Sequence, residues 1–138
     1  LDFYDPHLHT EISIKRARAA YPNHPGTERV VTHDLPLKRA AVDAVFVTLA
    51  AHEIRDDAER VRFFRQLRNS IKPAGKIVVT EHLRDTANFL AYTFGFFHFL
   101  PRETWLQTFN QSGLRVESEQ SITPFITVFN LISDGNTP

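Results

Sequence analysis

The sequence contains no cysteine, so disulfide bonds and thiolate chemistry are excluded and the redox compartment is left open. It contains no methionine either, not even at position 1, and we therefore expect a fragment of a longer product or a lost start. No apolar run approaches the roughly 18 residues of a membrane span, and no signal peptide precedes Leu1. We therefore expect a soluble, cytoplasmic protein that does not contact a membrane.

Net charge is absent as well, because 16 Lys and Arg residues balance 16 Asp and Glu residues. Without a net electrostatic field, nothing in the composition draws the protein to nucleic acid. The 138 residues suit one domain that buries its core without disulfides or metals. We predict a single α/β domain over residues 1–133, followed by a polar tail at 134–138.

In the first half of the chain, apolar runs and turn residues predict strands that alternate with a helix. A strand at Leu1–Tyr4 ends before Asp5-Pro6, because proline disfavours helical backbone in the residue before it. A helix to about Tyr21 and a short strand at residues 28–33 follow. The nearly unbroken apolar run of residues 42–51 is typical of a strand that is buried on both faces of a parallel sheet.

The second half begins with a helix whose start has the form of a capping box, Asp56-x-x-Glu59. Residues 72–75, Lys-Pro-Ala-Gly, are expected to stop this helix. The remaining predicted elements are a strand at 76–82, a helix at about 85–97, a helix from Pro101 to Gly113 and two final antiparallel strands. The order predicts a mostly parallel sheet with a C-terminal antiparallel hairpin.

Polar side chains gather at the carboxyl ends of four consecutive predicted strands. An open α/β sheet binds its ligands outside these ends. The residues concerned are Asp2, Asp5, Asp34, His52, Glu53, Glu81 and His82. The repetition on four strands favours a functional site over chance.

Several ordered stretches resemble class I S-adenosylmethionine-dependent methyltransferases. Asp34-Leu35-Pro36 is similar to the acid and Leu-Pro that follow the third strand of that family, and Asp43-Ala44-Val45 to the start of its fourth strand. Residues 72–75 resemble the turn before its fifth strand, and SGLRVES and PFITVFNLI resemble its sixth and seventh strands. The resemblance implies a Rossmann-like sheet, S-adenosylmethionine as cofactor and methyl transfer to a small-molecule acceptor.

The resemblance also implies which residues bind the cofactor. An acid at the end of the second strand, Asp2 or Asp5, would hold the ribose, because a carboxylate accepts two hydrogen bonds from a vicinal diol. Asp34 and Leu35 would flank the adenine ring. The sulfonium and methionine portion would be lined by Leu49, Ala50 and Ala51.

Methyl transfer requires alignment above all and often a base for the proton of the nucleophile. The candidate catalytic residues are His52, Glu53 and His82, since a histidine with a pKa near neutral can serve as that base. The candidate acceptor-binding residues are Glu81, Arg84, Asn88, Tyr92 and His98. The alternative is that these groups only terminate buried strands and that the aromatic stretch at 89–99 belongs to the core.

The chain departs from the family in lacking its first strand and glycine-rich loop. None of the five glycines, at 26, 75, 95, 113 and 135, forms a Gly-x-Gly. The missing strand would lie in the middle of the sheet, where each unpaired backbone group costs on the order of 1–3 kcal/mol. We therefore expect a homodimer or a strand-exchanged oligomer. The alternative function is a non-catalytic methyltransferase-fold remnant that acts as a self-associating or binding module.

The opening stretch Asp5-Pro-His7-Leu-His9 resembles the first metal-ligand motif of amidohydrolases and PHP-type phosphoesterases. A metal-dependent hydrolase that acts through His7 and His9 is therefore a second alternative. However, enzymes of this class build their sites on a closed barrel much longer than 138 residues. We assign no metal ligands and interpret the stretch as the turn from the second strand into its helix.

Overall fold

The computed structural model describes residues 1–7, 10 and 12–135. His9 and the last three residues of the predicted tail therefore lie outside the described residues. The chain divides into two compact units, residues 1–36 and residues 37–138. Among the described residues, no helix is both long enough and apolar enough to cross a membrane.

The first unit contains one helix, α1 (Ile12–Ala20), where the sequence predicts one. The two strands predicted in this unit are wrong, because residues 1–4 and 28–33 form only isolated bridges. Asp2 donates its N–H to Glu28 and accepts from the N–H of Val30, both at 2.9 Å. Turns at residues 6–7 and 32–33 end both runs before a second pair of residues can form.

The second unit is a four-stranded sheet with helices between its strands. Its α-helices are α2 (Asp57–Ser70), α3 (Thr86–Tyr92) and α4 (Arg102–Gln111), and 3-10 helices occupy Ala51–Glu53 and Thr93–His98. Its strands are β1 (Val42–Thr48), β2 (Ile71–Glu81), β3 (Leu114–Thr123) and β4 (Ile126–Ser133). The predicted helix at 85–97 is thus an α-helix that tightens into a 3-10 helix at Thr93.

The strands are arranged in the order β1-β2-β4-β3. β1 pairs with β2 in parallel, whereas β2 with β4 and β3 with β4 are antiparallel. The predicted final hairpin is confirmed. The mostly parallel sheet is not found among the described residues, because the runs at 1–4 and 28–33, expected as further parallel strands, do not form strands.

β1 lies at the edge of the sheet and is largely exposed, which corrects the prediction that both of its faces are buried. Val47 is buried, but the side chain of Phe46 is 73% exposed. An apolar run indicates that its residues favour burial, but it does not indicate how many strands flank it. β1 pairs with β2 alone, so one side of its backbone and much of its apolar surface are uncovered in the described part of the chain.

The start of α2 confirms the predicted capping residue. The carboxylate of Asp56 accepts a hydrogen bond from the backbone N–H of Glu59 at 2.7 Å, which satisfies one of the donors left free at a helix start. The apolar residues Val61, Phe64 and Leu67 recur at helical spacing and are buried. α2 therefore presents one apolar face to the core.

α2 ends at Ser70, just before residues 72–75, as expected, but these residues belong to β2 and not to the turn that the resemblance implies. Val42 pairs with Ile71, but the next paired residues are Ala44 and Lys76, so the extra residues bulge out of the ladder. A Cβ on Gly75 would lie 2.9 Å from the Cβ of Ile71 and 3.1 Å from the carbonyl oxygen of Asp43. Only glycine fits this close approach of two backbones.

The core lies between the sheet and the helices α2 and α4. The Phe64 and Phe109 rings meet edge to face with centroids 5.3 Å apart, and Phe109 meets Phe129 of β4 at 5.4 Å. Trp105 stacks on Phe109 at 5.8 Å. Burial of each such side chain stabilises the fold by about 1.5–3 kcal/mol, and these residues hold the strands that carry the polar ends.

Candidate functional site

The carboxyl ends of β1 and β2 lie side by side, because the two strands are parallel and Thr48 pairs with Thr80. His52 and Glu53 lie in the short 3-10 helix that follows β1, and Glu81 is the last residue of β2. The structure thus brings together the two charged strand ends that the sequence singles out.

Glu81 is fully buried and forms the anchor of this group. Its Oε1 accepts hydrogen bonds from the backbone N–H groups of Ala51 at 2.9 Å and His52 at 3.3 Å. Its Oε2 lies 2.6 Å from Nδ1 of His52. A buried carboxylate needs such partners, and they fix the orientation of the His52 ring. The contact of Glu81 with an acceptor stays a prediction.

Glu53 lies between two histidines. Its Oε1 is 3.4 Å from Nε2 of His52 and 2.9 Å from Nε2 of His98, and the centroids of the two rings are 5.2 Å apart. We call Glu81, His52, Glu53 and His98 the His–Glu cluster. His98, predicted as an acceptor contact, therefore lies beside the predicted catalytic residue Glu53, which is 45 positions earlier in the sequence.

Arg55 adjoins the His–Glu cluster, and sequence reasoning missed it. Its Nη1 donates to the carbonyl oxygen of His98 at 2.6 Å, and its Nη2 contacts Nδ1 of the same residue. Arg55 stands three residues after His52, but nothing in this local sequence signals a contact with residue 98.

The two carboxylates determine the protonation of His52. Burial alone lowers the pKa of His52, but hydrogen bonds and charge attraction from Glu53 and Glu81 outweigh burial and raise the pKa to about 9. Burial alone raises the pKa of Glu53, but the hydrogen bonds from His52 and His98 hold it well below its ordinary value. Near neutral pH, His52 is therefore an imidazolium beside ionised Glu53.

His82 belongs to a second group, which is aromatic. Its ring stacks on Phe99 with centroids 4.8 Å apart, and Tyr92 approaches it edge-on at 5.3 Å. Nδ1 lies 2.8 Å from the carbonyl oxygen of Phe125 and 3.2 Å from Oδ1 of Asn88. A carbonyl oxygen only accepts hydrogen bonds, so Nδ1 of His82 carries a proton and donates a hydrogen bond to Phe125.

Asn88 and Arg84 hold the backbone around His82. Asn88 is fully buried, and its Nδ2 donates to the carbonyl oxygen of Phe125 at 3.1 Å. Arg84 donates to the carbonyl oxygens of Phe99 at 2.8 Å and Phe97 at 2.7 Å. These bonds position the aromatic segment, and the predicted contact of Asn88 and Arg84 with an acceptor stays a prediction. Sequence reasoning did not single out Phe99, which contacts His52, His82 and Tyr92.

The predicted sulfonium-binding residues follow β1 directly. Leu49 has a φ of +48°, which is unusual for a residue with a side chain, and its N–H donates to the carbonyl oxygen of Thr80 at 2.8 Å. Such backbone conformations cost on the order of 1–3 kcal/mol and cluster at ligand sites. Ala50 is half-buried and leads into the 3-10 helix that carries His52.

The predicted ribose and adenine contacts lie in the first unit. Both carboxylate oxygens of Asp2 accept hydrogen bonds from Arg18 at 2.8 Å, and although burial opposes the shift, these bonds lower the pKa of Asp2. Asp5 accepts from the backbone N–H of His7 at 2.7 Å. Asp34 is exposed and Leu35 is buried.

The proposed hydrolase ligands are only partly described. His7 is exposed, and His9 lies outside the described residues. The metal-dependent hydrolase therefore stays an untested prediction.

No curated protein matches the chain. Among solved structures, a SAM-dependent methyltransferase from Aquifex aeolicus is similar over 94% of this chain and 65% of its own, with a TM-score of 0.66 and 14% identity. A SAM-dependent methyltransferase from Leishmania major is similar over 86% of this chain and 50% of its own, with a TM-score of 0.57 and 19% identity. The mitomycin 7-O-methyltransferase MmcR is similar over 76% of this chain and 34% of its own, with a TM-score of 0.59 and 18% identity.

These similarities show that the chain has the fold of class I S-adenosylmethionine-dependent methyltransferases. The chain spans between about one third and two thirds of the length of these three proteins. The family described as "Protein of unknown function (DUF2628)" matches residues 44–129, which include most of β1, the His–Glu cluster and the first half of β4. The chain therefore belongs to the DUF2628 family.

Proposed function

We propose that the chain catalyses S-adenosylmethionine-dependent methyl transfer to a small-molecule acceptor. One observation carries the proposal: two adjacent parallel strands of a methyltransferase fold end in a buried carboxylate–histidine pair, Glu81 and His52. The ligands of open α/β sheets bind outside these strand ends. The strained backbone of Leu49 at the end of β1 supports the same location.

The cofactor would supply an electrophilic methyl group. We assign its sulfonium side to Leu49 and Ala50, which follow β1 directly. No Gly-x-Gly is present in this chain, so cofactor binding without that loop needs a direct test.

We assign the general base to His82. Both ring nitrogens of His52 are committed, Nδ1 to Glu81 and Nε2 towards Glu53. His82 instead directs Nδ1 to a carbonyl, which leaves Nε2 to take the proton of an acceptor hydroxyl or amine. Asn88 acts as a positioning residue for His82.

The acceptor would be flat and partly apolar. Tyr92 and Phe99 pack around His82, and aromatic walls favour stacking of a ring beside the base. The imidazolium of His52 adds a fixed positive charge near the strand ends, which suits an acceptor whose nucleophilic oxygen develops negative charge.

Turnover tests this function. The purified chain is incubated with S-adenosylmethionine and a panel of phenols, hydroxylated heteroaromatics and aromatic amines, and S-adenosylhomocysteine is quantified together with methylated product by mass spectrometry. Equal amounts of both products with a flat acceptor are expected. Cofactor binding without turnover of any acceptor would instead favour a binding module.

The second candidate function is that of a self-associating binding module. β1 presents an unpaired edge with exposed Phe46, and such edges pair readily with another strand. The occupant would be β1 of a second copy, in a homodimer or strand-exchanged oligomer. Light scattering should report a dimer that Phe46→Glu weakens, and a monomer at all concentrations would contradict this candidate.

A further inference from the structure

We propose that His52, Glu53 and His98 bind one divalent transition-metal ion, with zinc as the best match. Nε2 of each histidine and one carboxylate oxygen of Glu53 converge, and their ligating atoms lie within 4.8 Å of one another. The proposal does not rest on methyl transfer, because it concerns only the binding of an ion by these three side chains.

The spacing of the three ligating atoms approaches that of a tetrahedral site. Two atoms bound to zinc at about 2.0–2.2 Å lie roughly 3.3–3.6 Å apart at the tetrahedral angle. The distance from Nε2 of His52 to Oε1 of Glu53 is 3.4 Å. Oε1 of Glu53 lies 2.9 Å from Nε2 of His98, which is closer than that separation, so His98 would move outward on binding. His98 is half-buried at the end of a 3-10 helix.

Glu81 supplies the second, independent observation. Histidines that bind metals usually donate their other ring N–H to a carboxylate or carbonyl, which fixes the ring and makes it a better ligand. Glu81 does this for His52, because its Oε2 lies 2.6 Å from Nδ1 while Nε2 faces Glu53. Full burial of Glu81 and its two backbone N–H donors hold that carboxylate in place.

The donor set selects the class of metal. Two imidazoles and one carboxylate suit zinc and other late transition metals, whereas magnesium and calcium prefer oxygen ligands. Three protein ligands leave a fourth position for water or for an acceptor oxygen. The half-buried side chains of Glu53 and His98 leave the cluster accessible from solvent.

Arg55 opposes metal binding. Its guanidinium contacts Nδ1 of His98, and a positive charge there disfavours a cation at Nε2 of the same ring. Binding would require Arg55 to withdraw from that nitrogen. It would also displace the proton on Nε2 of His52, because an imidazolium nitrogen has no lone pair for the metal. Removal of Arg55 should therefore increase the affinity for the metal, which a purely hydrogen-bonded network does not predict.

The test is calorimetric titration of the tag-free, chelator-treated chain with zinc chloride, repeated with cobalt chloride and visible absorption. One equivalent of zinc should bind, and cobalt should give the strong visible bands of a four-coordinate site. Glu53→Gln keeps the size of the side chain and removes its charge, and it should weaken binding at least about tenfold, as should His98→Asn. Arg55→Ala should strengthen binding.

His33→Ala is the matched control, because His33 is exposed and lies in the first unit. It should bind zinc like the unchanged chain, and circular dichroism should show that every variant is folded. Absence of saturable zinc binding, or equal binding by the unchanged chain, Glu53→Gln and His98→Asn, would overturn the proposal. Titration with S-adenosylmethionine under chelator reports on the methyl-transfer proposal separately, so the two failures are distinguishable.

Discussion

The carboxylate of Glu81 meets Nδ1 of His52 at 2.6 Å in the interior of the protein, where the two parallel strands β1 and β2 end. This pair connects the end of β2 to the His–Glu cluster. Glu81 is excluded from solvent by its position in a strand between two neighbours, and His52 and two backbone N–H groups supply the hydrogen bonds that a buried carboxyl group needs. In return, the pair fixes which nitrogen of His52 faces Glu53.

Protein stability should decrease as the pH rises from about 6.5 to about 9. The pKa of His52 is raised to about 9 in the folded chain, so protonated His52 stabilises the fold fully below its unfolded pKa and loses that contribution as the pH passes the folded value. The pKa difference corresponds to about 3 kcal/mol. Urea unfolding at pH 6 and pH 9.5, both with chelator, measures the change.

His52→Asn is the control for this pH dependence. It removes the titrating ring, so its free energy of unfolding should change much less over the same interval. A flat profile for the unchanged chain, or an equal decrease in His52→Asn, would show that the Glu81–His52 pair does not carry the effect.

Gly75→Ala should destabilise the fold by about 1–3 kcal/mol, because its methyl group would overlap Ile71 and the backbone of Asp43. Gly95→Ala is matched to it, since a Cβ on Gly95 meets only Tyr92 at 3.6 Å, an ordinary contact. Thermal unfolding compares the two variants. Equal midpoints would mean that β1 and β2 do not approach as closely at the bulge as described.

Sequence reasoning succeeded where local chemistry decides the structure. Asp56 caps α2 through its own side chain, Gly113 takes a positive φ after α4, and β3 and β4 are joined by a short turn. It failed where the structure depends on the number of strands that pair with a given strand. The run at 42–51 has the composition of a central strand, but β1 has one partner, and composition does not record that difference.

The candidate site likewise contains one contact that the sequence predicts and one that it does not. The pairing of His52 with Glu81 could be predicted, because parallel neighbours bring their carboxyl ends together. The contact of His98 with Glu53 could not, because it depends on how the 3-10 helix at Thr93–His98 folds back over 45 residues. No periodic pattern in the sequence predicts the contact between Glu53 and His98.

His82→Ala should lower kcat for methyl transfer by about 10²–10⁴-fold if His82 is the base, while the affinity for S-adenosylmethionine stays the same. Loss of the base removes an interaction that matters only when the proton moves. Turnover and cofactor titration of the same preparation separate the two effects. An unchanged kcat, or a loss equal to that of His33→Ala, would exclude His82 as the base.

Arg60→Met should destabilise the fold by about 1–3 kcal/mol, because it leaves the carbonyl oxygen of Ile54 without its donor. Arg60 is fully buried in α2 and also donates to Oγ1 of Thr108 at 3.2 Å. Arg62→Met changes an exposed arginine of the same helix and should be nearly neutral. Equal urea midpoints for the two variants would contradict this role for Arg60.

The central claim is that this methyltransferase fold retains a cofactor site, and calorimetric titration with S-adenosylmethionine tests it most directly. The account predicts saturable heat from one site per chain. The resemblance in sequence predicts that Asp34→Ala abolishes it, whereas Asp43→Ala, whose exposed acid lies at the start of β1, keeps it. No heat at millimolar cofactor, a binding free energy weaker than about −4 kcal/mol, would contradict it.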